Sequence, residues 1–418
     1  MASLIHAWPT LPELIRATKR QIASRIGDVD KTLSELADDL RRDVDEVAAV
    51  RARGEAVIPE VDYATVAADK VSDATKATIR KRGAVVIRNV YPRAQANSWN
   101  DEIGEYLTRN DYIARAAKVA GDKYFSTLKS GKPQIYGIYW SKPQMQARQG
   151  PSLAKARAFL NRLWRHEGGG KTFFDPDREC TYADRIRRRE PGDNSLGLSP
   201  HMDAGSVERW LDPAYAQVYR HVFSGNWRDY DPFDGAWRSE YEEIPSAANC
   251  SAFRTFQGWT ALTPQGPGDG TLQLLPMARA ITYLLLRPMA TDVPDDDLCG
   301  AKPGRALSLV EQWHALLKPA ITPIPLVEPG DTVWWHTDII HAVEDEHKGR
   351  GYSNVIYIGA APYCAKNAAY VAKQKDAFLS GASAPDFAPE NFEVEFEGRA
   401  MPADLSDLGK RQMGLAAW

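Results

Sequence analysis

Between Cys180 and Pro362 the apolar residues come in short runs cut by glycine and proline, as in "FRTFQGWTALTPQGPGDGTLQLLPMA", "PGDTVWWHTDIIHAV" and "GYSNVIYIGAAP". Runs of this length, rich in β-branched and aromatic residues and closed by turn formers, are too short for ordinary helices and predict strands. Their repetition predicts a β-sandwich or barrel in the middle of the chain. The flanks read differently. From about Leu11 to Arg82 the apolar residues recur at helical spacing; in "TLSELADDLRRDVDEVAAV", Leu33, Leu36, Leu40 and Val44 share one face. Gly83 then ends a helix, and Ala84 to Val90 form a β-branched strand closed by Pro92. Helices resume after it, and the tail beyond Cys364 is helical and then acidic. The expected fold class is α+β, with a helical N-terminal portion (1–82), a β core (83–365) and a C-terminal extension (366–418) packed on that core.

The 418 residues, 44% hydrophobic and 26% charged, can bury a large core. Lys and Arg number 52 against 55 Asp and Glu, a formal net charge of -3, so no overall basic field would draw the chain to nucleic acid or anionic lipid. Cys180, Cys250, Cys299 and Cys364 form no CxxC pair and fit buried, reduced thiols. The N-terminal "MASLIHAWPTLPELIRATKR" lacks a basic start followed by an apolar run, and no stretch reaches membrane-spanning length. A cytoplasmic protein is expected.

"SPHMDAG" places His201 and Asp203 two positions apart. On a strand both side chains leave the same face while Met202 enters the opposite layer. That is half of a metal site, or a hydrogen-bonded surface pair. Two histidines and one carboxylate on one face of an ion, with the other positions open, make the facial triad of a non-haem iron(II) oxygenase. The third ligand would come from "GDTVWWHTDIIHAVED", which offers His336 and His341 and also a second His-x-Asp, His336 with Asp338. A purely local triad of His336, Asp338 and His341 ranks lower, because three near-neighbours rarely reach one ion from three directions. His6, His166, His221, His314 and His347 have no neighbours at ligand spacing and read as solvated or core residues.

Taken together, "GAVVIRNV", "HMD", "GWTALTP…GDGTLQLLP" and "PGDTVWWHTDIIHAV…GRGYSNVIYIG" resemble the phytanoyl-CoA-hydroxylase-like branch of the iron(II)/2-oxoglutarate-dependent oxygenases, in order over roughly Gly83 to Pro362. "YADRIRRREPGDNSLGLSPHMDAGSVERW" and "GNWRDYDPFDG" resemble its DUF1479 subgroup. The resemblance implies a double-stranded β-helix, a cupin-like jelly roll with helices packed on the sandwich. It implies Fe(II) held by the catalytic residues His201, Asp203 and His341, with 2-oxoglutarate as cosubstrate and molecular oxygen as oxidant. It implies hydroxylation as the outcome, and Arg350 as the anchor of the distal carboxylate. A planar guanidinium fork suits a carboxylate better than the ammonium of Lys348 does, and Ser353 or Tyr352 would add a hydroxyl.

Asp203 to His341 is longer than that family commonly shows, which marks 206–245 as an insertion. It carries nine aromatics, Trp210, Tyr215, Tyr219, Phe223, Trp227, Tyr230, Phe233, Trp237 and Tyr241. They suit either a cover that excludes water from the site or a packed subdomain. A small-molecule substrate in a covered pocket is expected, with neither nucleic acid nor membrane as partner; no residue pattern specifies an oligomer. Two other classes share such a scaffold: a catalytically silent binding or sensor protein, and a cupin-like metalloenzyme that does not use 2-oxoglutarate. "DRIRRRE", Asp184 to Glu190, reads as a solvated charged face or a basic patch for an acidic ligand.

Overall fold

The computed structural model describes residues 11–118, 133–195, 199–241 and 251–418. His6 and Cys250 lie outside them. Two helices open the described chain, α1 (Leu11–Ile26) and α2 (Val29–Ala52). Asp28 caps α2 by accepting the Lys31 amide at 2.9 Å, and Leu36, Leu40, Val44 and Val47 form its buried stripe. After β1 (Glu60–Asp62) comes α3 (Asp73–Arg82). It is capped at one end by Ser72 and stopped at the other by Gly83, whose φ of 65° is left-handed. The strand β2 (Ala84–Arg88) follows, then α4 (Arg93–Arg109).

The remaining strands of the two large sheets are β3 (Ile135–Tyr136), β4 (Ile186–Arg189), β5 (His201–Met202), β6 (Phe256–Ala261), β7 (Leu272–Leu274), β8 (Leu307–Ser308), β9 (Thr322–Pro323), β10 (Thr332–His336), β11 (His341–Val343) and β12 (Ser353–Ala360). One sheet runs β1-β2-β10-β6-β12-β4-β3 and the other β8-β5-β11-β7-β9. Every pairing is antiparallel except β1 with β2. The α+β class is therefore as expected, and the middle of the chain is β-rich as its short runs predict. One strand falls inside the N-terminal portion expected to be helical: β1 adds a parallel edge to the larger sheet, pairing Val61 with Ile87.

Two apolar clusters place the sheets. In the first, Val86, Trp259, Val333 and Val355, which share one face of the seven-stranded sheet, cluster with Leu272 and Leu274 of the five-stranded sheet, so the sheets face each other. In the second, Ile15, Ile22, Leu36, Leu40 and Val47 of α1 and α2 meet Met202, Leu307 and most of the aromatics of 206–241. The N-terminal helices and the insertion therefore cover the outer face of the smaller sheet. Trp210, Tyr215, Tyr219, Phe223, Trp227, Tyr230, Phe233 and Tyr241 are buried, and only Trp237 is exposed, at 40%. At these residues the insertion is a packed subdomain; 242–245 lie outside the described residues. No helix among the described residues is long and apolar enough to cross a membrane. Cys180, Cys299 and Cys364 are buried free thiols.

Candidate metal centre

β5 and β11 pair with His201 directly opposite His341, bringing the two rings to 4.5 Å between centroids. The His-x-Asp alternation works as the strand period requires: Met202 is fully buried in the outer cluster, and His201 and Asp203 turn the other way, between the sheets. Beyond Asp203 the backbone enters the left-handed region at Ala204 (φ 66°) and Gly205 (φ 97°), which lifts the chain off the strand and leaves the carboxylate facing both imidazoles. Asp203 Oδ1 lies 3.6 Å from His201 Nε2, and its Oδ2 lies 3.6 Å from His341 Nε2. One ligand atom from each of the three residues fits within 4.8 Å of the others, and among the described residues this is the group arranged to hold an ion.

The ring tautomers follow from the backbone. His201 Nδ1 is 2.8 Å from the Ser199 carbonyl and His341 Nδ1 is 3.2 Å from the Ile339 carbonyl. A carbonyl only accepts, so each Nδ1 carries a proton, and it is Nε2 of each ring that faces the shared space. Asp203 Oδ2 also accepts from Gln257 Nε2 at 3.0 Å, and Gln257 Oε1 in turn accepts from Trp335 Nε1 at 2.6 Å. Burial pushes the Asp203 carboxyl up, but His341, His201 and Arg254 together with the Gln257 bond more than offset it and hold it below the usual range. Burial and the neighbouring His201 push His341 down to about 4, so at neutral pH its imidazole is uncharged and ready to bind. Two imidazole nitrogens and a carboxylate are the donor set of a divalent transition metal with open positions. The residues fit such an ion.

His336 and Asp338 are occupied otherwise. His336 stacks on Trp164 at 4.5 Å and 7°, its Nε2 donates to the Pro232 carbonyl at 2.9 Å, and its Nδ1 accepts the Asp338 amide at 2.9 Å. Asp338 is paired with Arg209 at 2.8 Å and Arg238 at 2.7 Å. The local triad is thereby dismantled. Among the other described histidines, His314 accepts the Val310 amide and His347 the Gly349 amide through Nδ1, both core roles.

Arg350 is exposed in the turn after β11, as is Lys348. Ser353 is buried at the start of β12, where its hydroxyl donates to Gln265 Oε1 at 2.6 Å and accepts from Arg187 Nη2 at 2.9 Å. Gly359, which pairs with Gln257 beside Asp203, is near the other end of that strand, about 20 Å away at the usual rise per residue. The structure thus gathers His201, Asp203 and His341 and leaves Arg350 and Ser353 apart from them.

Three residues escape sequence reasoning. Arg187 and Arg189 of "DRIRRRE" are neither a solvated face nor a surface patch, because strand alternation in β4 buries both. Arg189 donates through its two Nη atoms to the carbonyls of Gly270, Glu344, Asp193 and Asp345, and among the described residues the Nε of both Arg187 and Arg189 has no hydrogen-bond partner. Gln257 is the third. Its signal is an amide side chain inside the mostly apolar run "FQGWTAL".

Over 403 residues, 96% of each chain, this protein is 47% identical to the uncharacterized protein YbiU of Escherichia coli (strain K12). It superimposes on a Salmonella typhimurium LT2 protein named provisionally as an oxidoreductase with a TM-score of 0.93, at 45% identity and covering 97% of this chain and 98% of that one. It also matches GlcNAc Inducible Gene 2, a DUF1479 protein of Candida albicans, with a TM-score of 0.82 at 27% identity over 97% of this chain and 89% of that one. Residues 9–415 match the Gig2-like family, and the chain belongs to it.

Proposed function

We propose that this protein is a non-haem iron(II)/2-oxoglutarate-dependent oxygenase that hydroxylates a small-molecule metabolite. The observation that carries the reading is the convergence of His201 Nε2, His341 Nε2 and the Asp203 carboxylate within 4.8 Å, each imidazole locked in the ligating tautomer by a backbone carbonyl. The provisional oxidoreductase assignment of the Salmonella relative agrees with it. The two facing antiparallel sheets support reading the core as a double-stranded β-helix of the jelly-roll type.

An iron(II) ion bound there would supply the activation of oxygen, coupled to oxidation of 2-oxoglutarate. The chain does the rest. His201, His341 and Asp203 would hold the ion. Gln257 ties down one Asp203 oxygen, and Trp335, 5.4 Å from the His341 ring, walls the site with apolar surface. The resemblance assigns the distal carboxylate of 2-oxoglutarate to Arg350. The competing groups are Arg187, a buried guanidinium between the sheets that already bonds Ser353, and the buried Arg254, whose charge acts on Asp203 and His341. The formal charge of -3 and the absence of a basic stripe favour a small metabolite over nucleic acid.

Anaerobic titration with iron(II) and 2-oxoglutarate tests the proposal through the weak visible charge-transfer band of a chelated complex. The band is expected in the wild type and lost in His201→Ala and Asp203→Ala. Whichever of Arg350→Ala, Arg187→Ala and Arg254→Ala raises the 2-oxoglutarate requirement identifies the anchor, since a charge-assisted contact is worth about 1.5–3 kcal/mol. A screen of metabolites against succinate release then follows turnover. Metal binding with no response to 2-oxoglutarate would mean a different metalloenzyme, and stimulation only by a folded protein or an oligonucleotide would overturn the substrate class.

A further inference from the structure

The residues that present Asp203 and those that present His341 are far apart in sequence, yet one side chain touches both segments. Arg209, in the first turn of the insertion, is fully buried. Its Nη2 donates to the Asp203 carbonyl at 2.8 Å and its Nε to the Gly205 carbonyl at 3.1 Å. These bonds hold the two ends of the turn whose left-handed residues, Ala204 and Gly205, swing Asp203 toward the histidines. The remaining arm, Nη1, pairs with Asp338 Oδ1 at 2.8 Å and with the Tyr219 hydroxyl. Asp338 directly precedes Ile339, whose carbonyl fixes the His341 ring. The guanidinium is planar and rigid, so its three arms set the two segments at a fixed separation, which a flexible ammonium cannot do.

We propose that Arg209 is the positioning residue of the metal centre: a single buried guanidinium couples the loop carrying Asp203 to the turn carrying His341, and so makes the insertion part of the metal site's scaffold. This rests on the metal-binding reading above. Arg238 supplies the control. It pairs with the same carboxylate through Asp338 Oδ2 at 2.7 Å and bonds the Tyr230 hydroxyl and the Pro232 carbonyl. Neither of those acceptors belongs to the Asp203 loop. Loss of either arginine leaves Asp338 with one cation instead of two, but only loss of Arg209 frees the loop.

The test is titration of the full-length wild type, Arg209→Met and Arg238→Met with cobalt(II), read through its visible ligand-field bands, beside denaturant unfolding of each apoprotein. Both variants should lose stability. Arg209→Met should also weaken cobalt(II) binding by about 10- to 100-fold, the range for removing a group that orients a ligand, and alter the bands. Arg238→Met should bind as the wild type does. Should either Met variant fail to fold, Arg209→Lys and Arg238→Lys carry the same comparison with the charge kept, and only the first should weaken binding. If the two arginines behave alike, in affinity and in spectrum, the coupling role is overturned while the metal site stands. A wild type that binds no cobalt(II) or iron(II) overturns the metal reading itself, and this inference with it.

Discussion

His336 and His341 lie in one short segment and meet opposite fates, decided by which ring nitrogens the backbone leaves free. His336 spends both: Nδ1 on the Asp338 amide and Nε2 on the Pro232 carbonyl. His341 spends only Nδ1. His336→Ala should therefore keep metal binding intact while costing about 1–3 kcal/mol in denaturant unfolding, because the Asp338 amide loses its acceptor and the Trp164 face its stacked ring. His341→Ala should do the reverse, abolishing metal binding at little cost in stability. If His336→Ala loses the metal and His341→Ala keeps it, the ligand assignment is wrong. Strand alternation put His201 and Asp203 on one face, as half of a metal site or as a surface pair, and the resemblance to the oxygenases favoured the metal. The choice between the two downstream histidines depends on hydrogen bonds to Pro232 and Ile339, which no spacing rule encodes.

At the scale of elements, the segment from β10 to β11 is held by charge on one side and by close packing on the other. Asp338 has no access to solvent and faces two guanidinia; burial alone would push its carboxyl up, but Arg238, Arg209 and His336 hold it far below the usual range. A carboxyl depressed in the fold contributes stability that is present above its unfolded value and fades only as pH falls below it, so this contribution is intact at neutral pH and lost in strong acid. Asp338→Asn should cost about 3–5 kcal/mol at pH 7 by leaving both arginines uncompensated, and the gap to wild type should narrow on acidification in a pH series of unfolding curves. On the opposite side, a Cβ on Gly83 would come 2.6 Å from Ile339 Cδ1, and its φ is left-handed as well. Gly83→Ala should lower stability by about 1–2 kcal/mol. It should also weaken metal binding slightly, since Ile339 orients His341; an unchanged metal titration would limit its role to the helix stop.

Over the whole molecule, the C-terminal extension is fastened by a buried acid. Glu393 accepts the Trp140 amide at 3.0 Å and the Tyr106 hydroxyl at 2.7 Å, tying the tail to α4 and to the segment after β3. Burial raises its carboxyl to about 7, and that of Glu179 to about 7 as well. A raised folded value means a contribution fully present below the unfolded value of about 4.5 and lost as pH rises through about 7. Between pH 5 and pH 8 the thermal stability of the wild type should therefore fall relative to that of Glu393→Gln, which keeps a neutral hydrogen-bonding group; an identical pH slope in the variant would refute the role of Glu393. At this scale the sequence by itself determined the α+β class, the β-rich middle, the amphipathic stripe of α2, the helix stop at Gly83 and the pairing of His201 with Asp203, because each follows from local period, capping or backbone freedom. Tertiary structure alone decided that β1 joins the larger sheet, that the arginines of β4 turn inward, and that Arg209 clasps the Asp203 loop. Those outcomes depend on partners supplied by distant segments, and neither a residue's own propensity nor its spacing says which carbonyl or carboxylate will stand beside it.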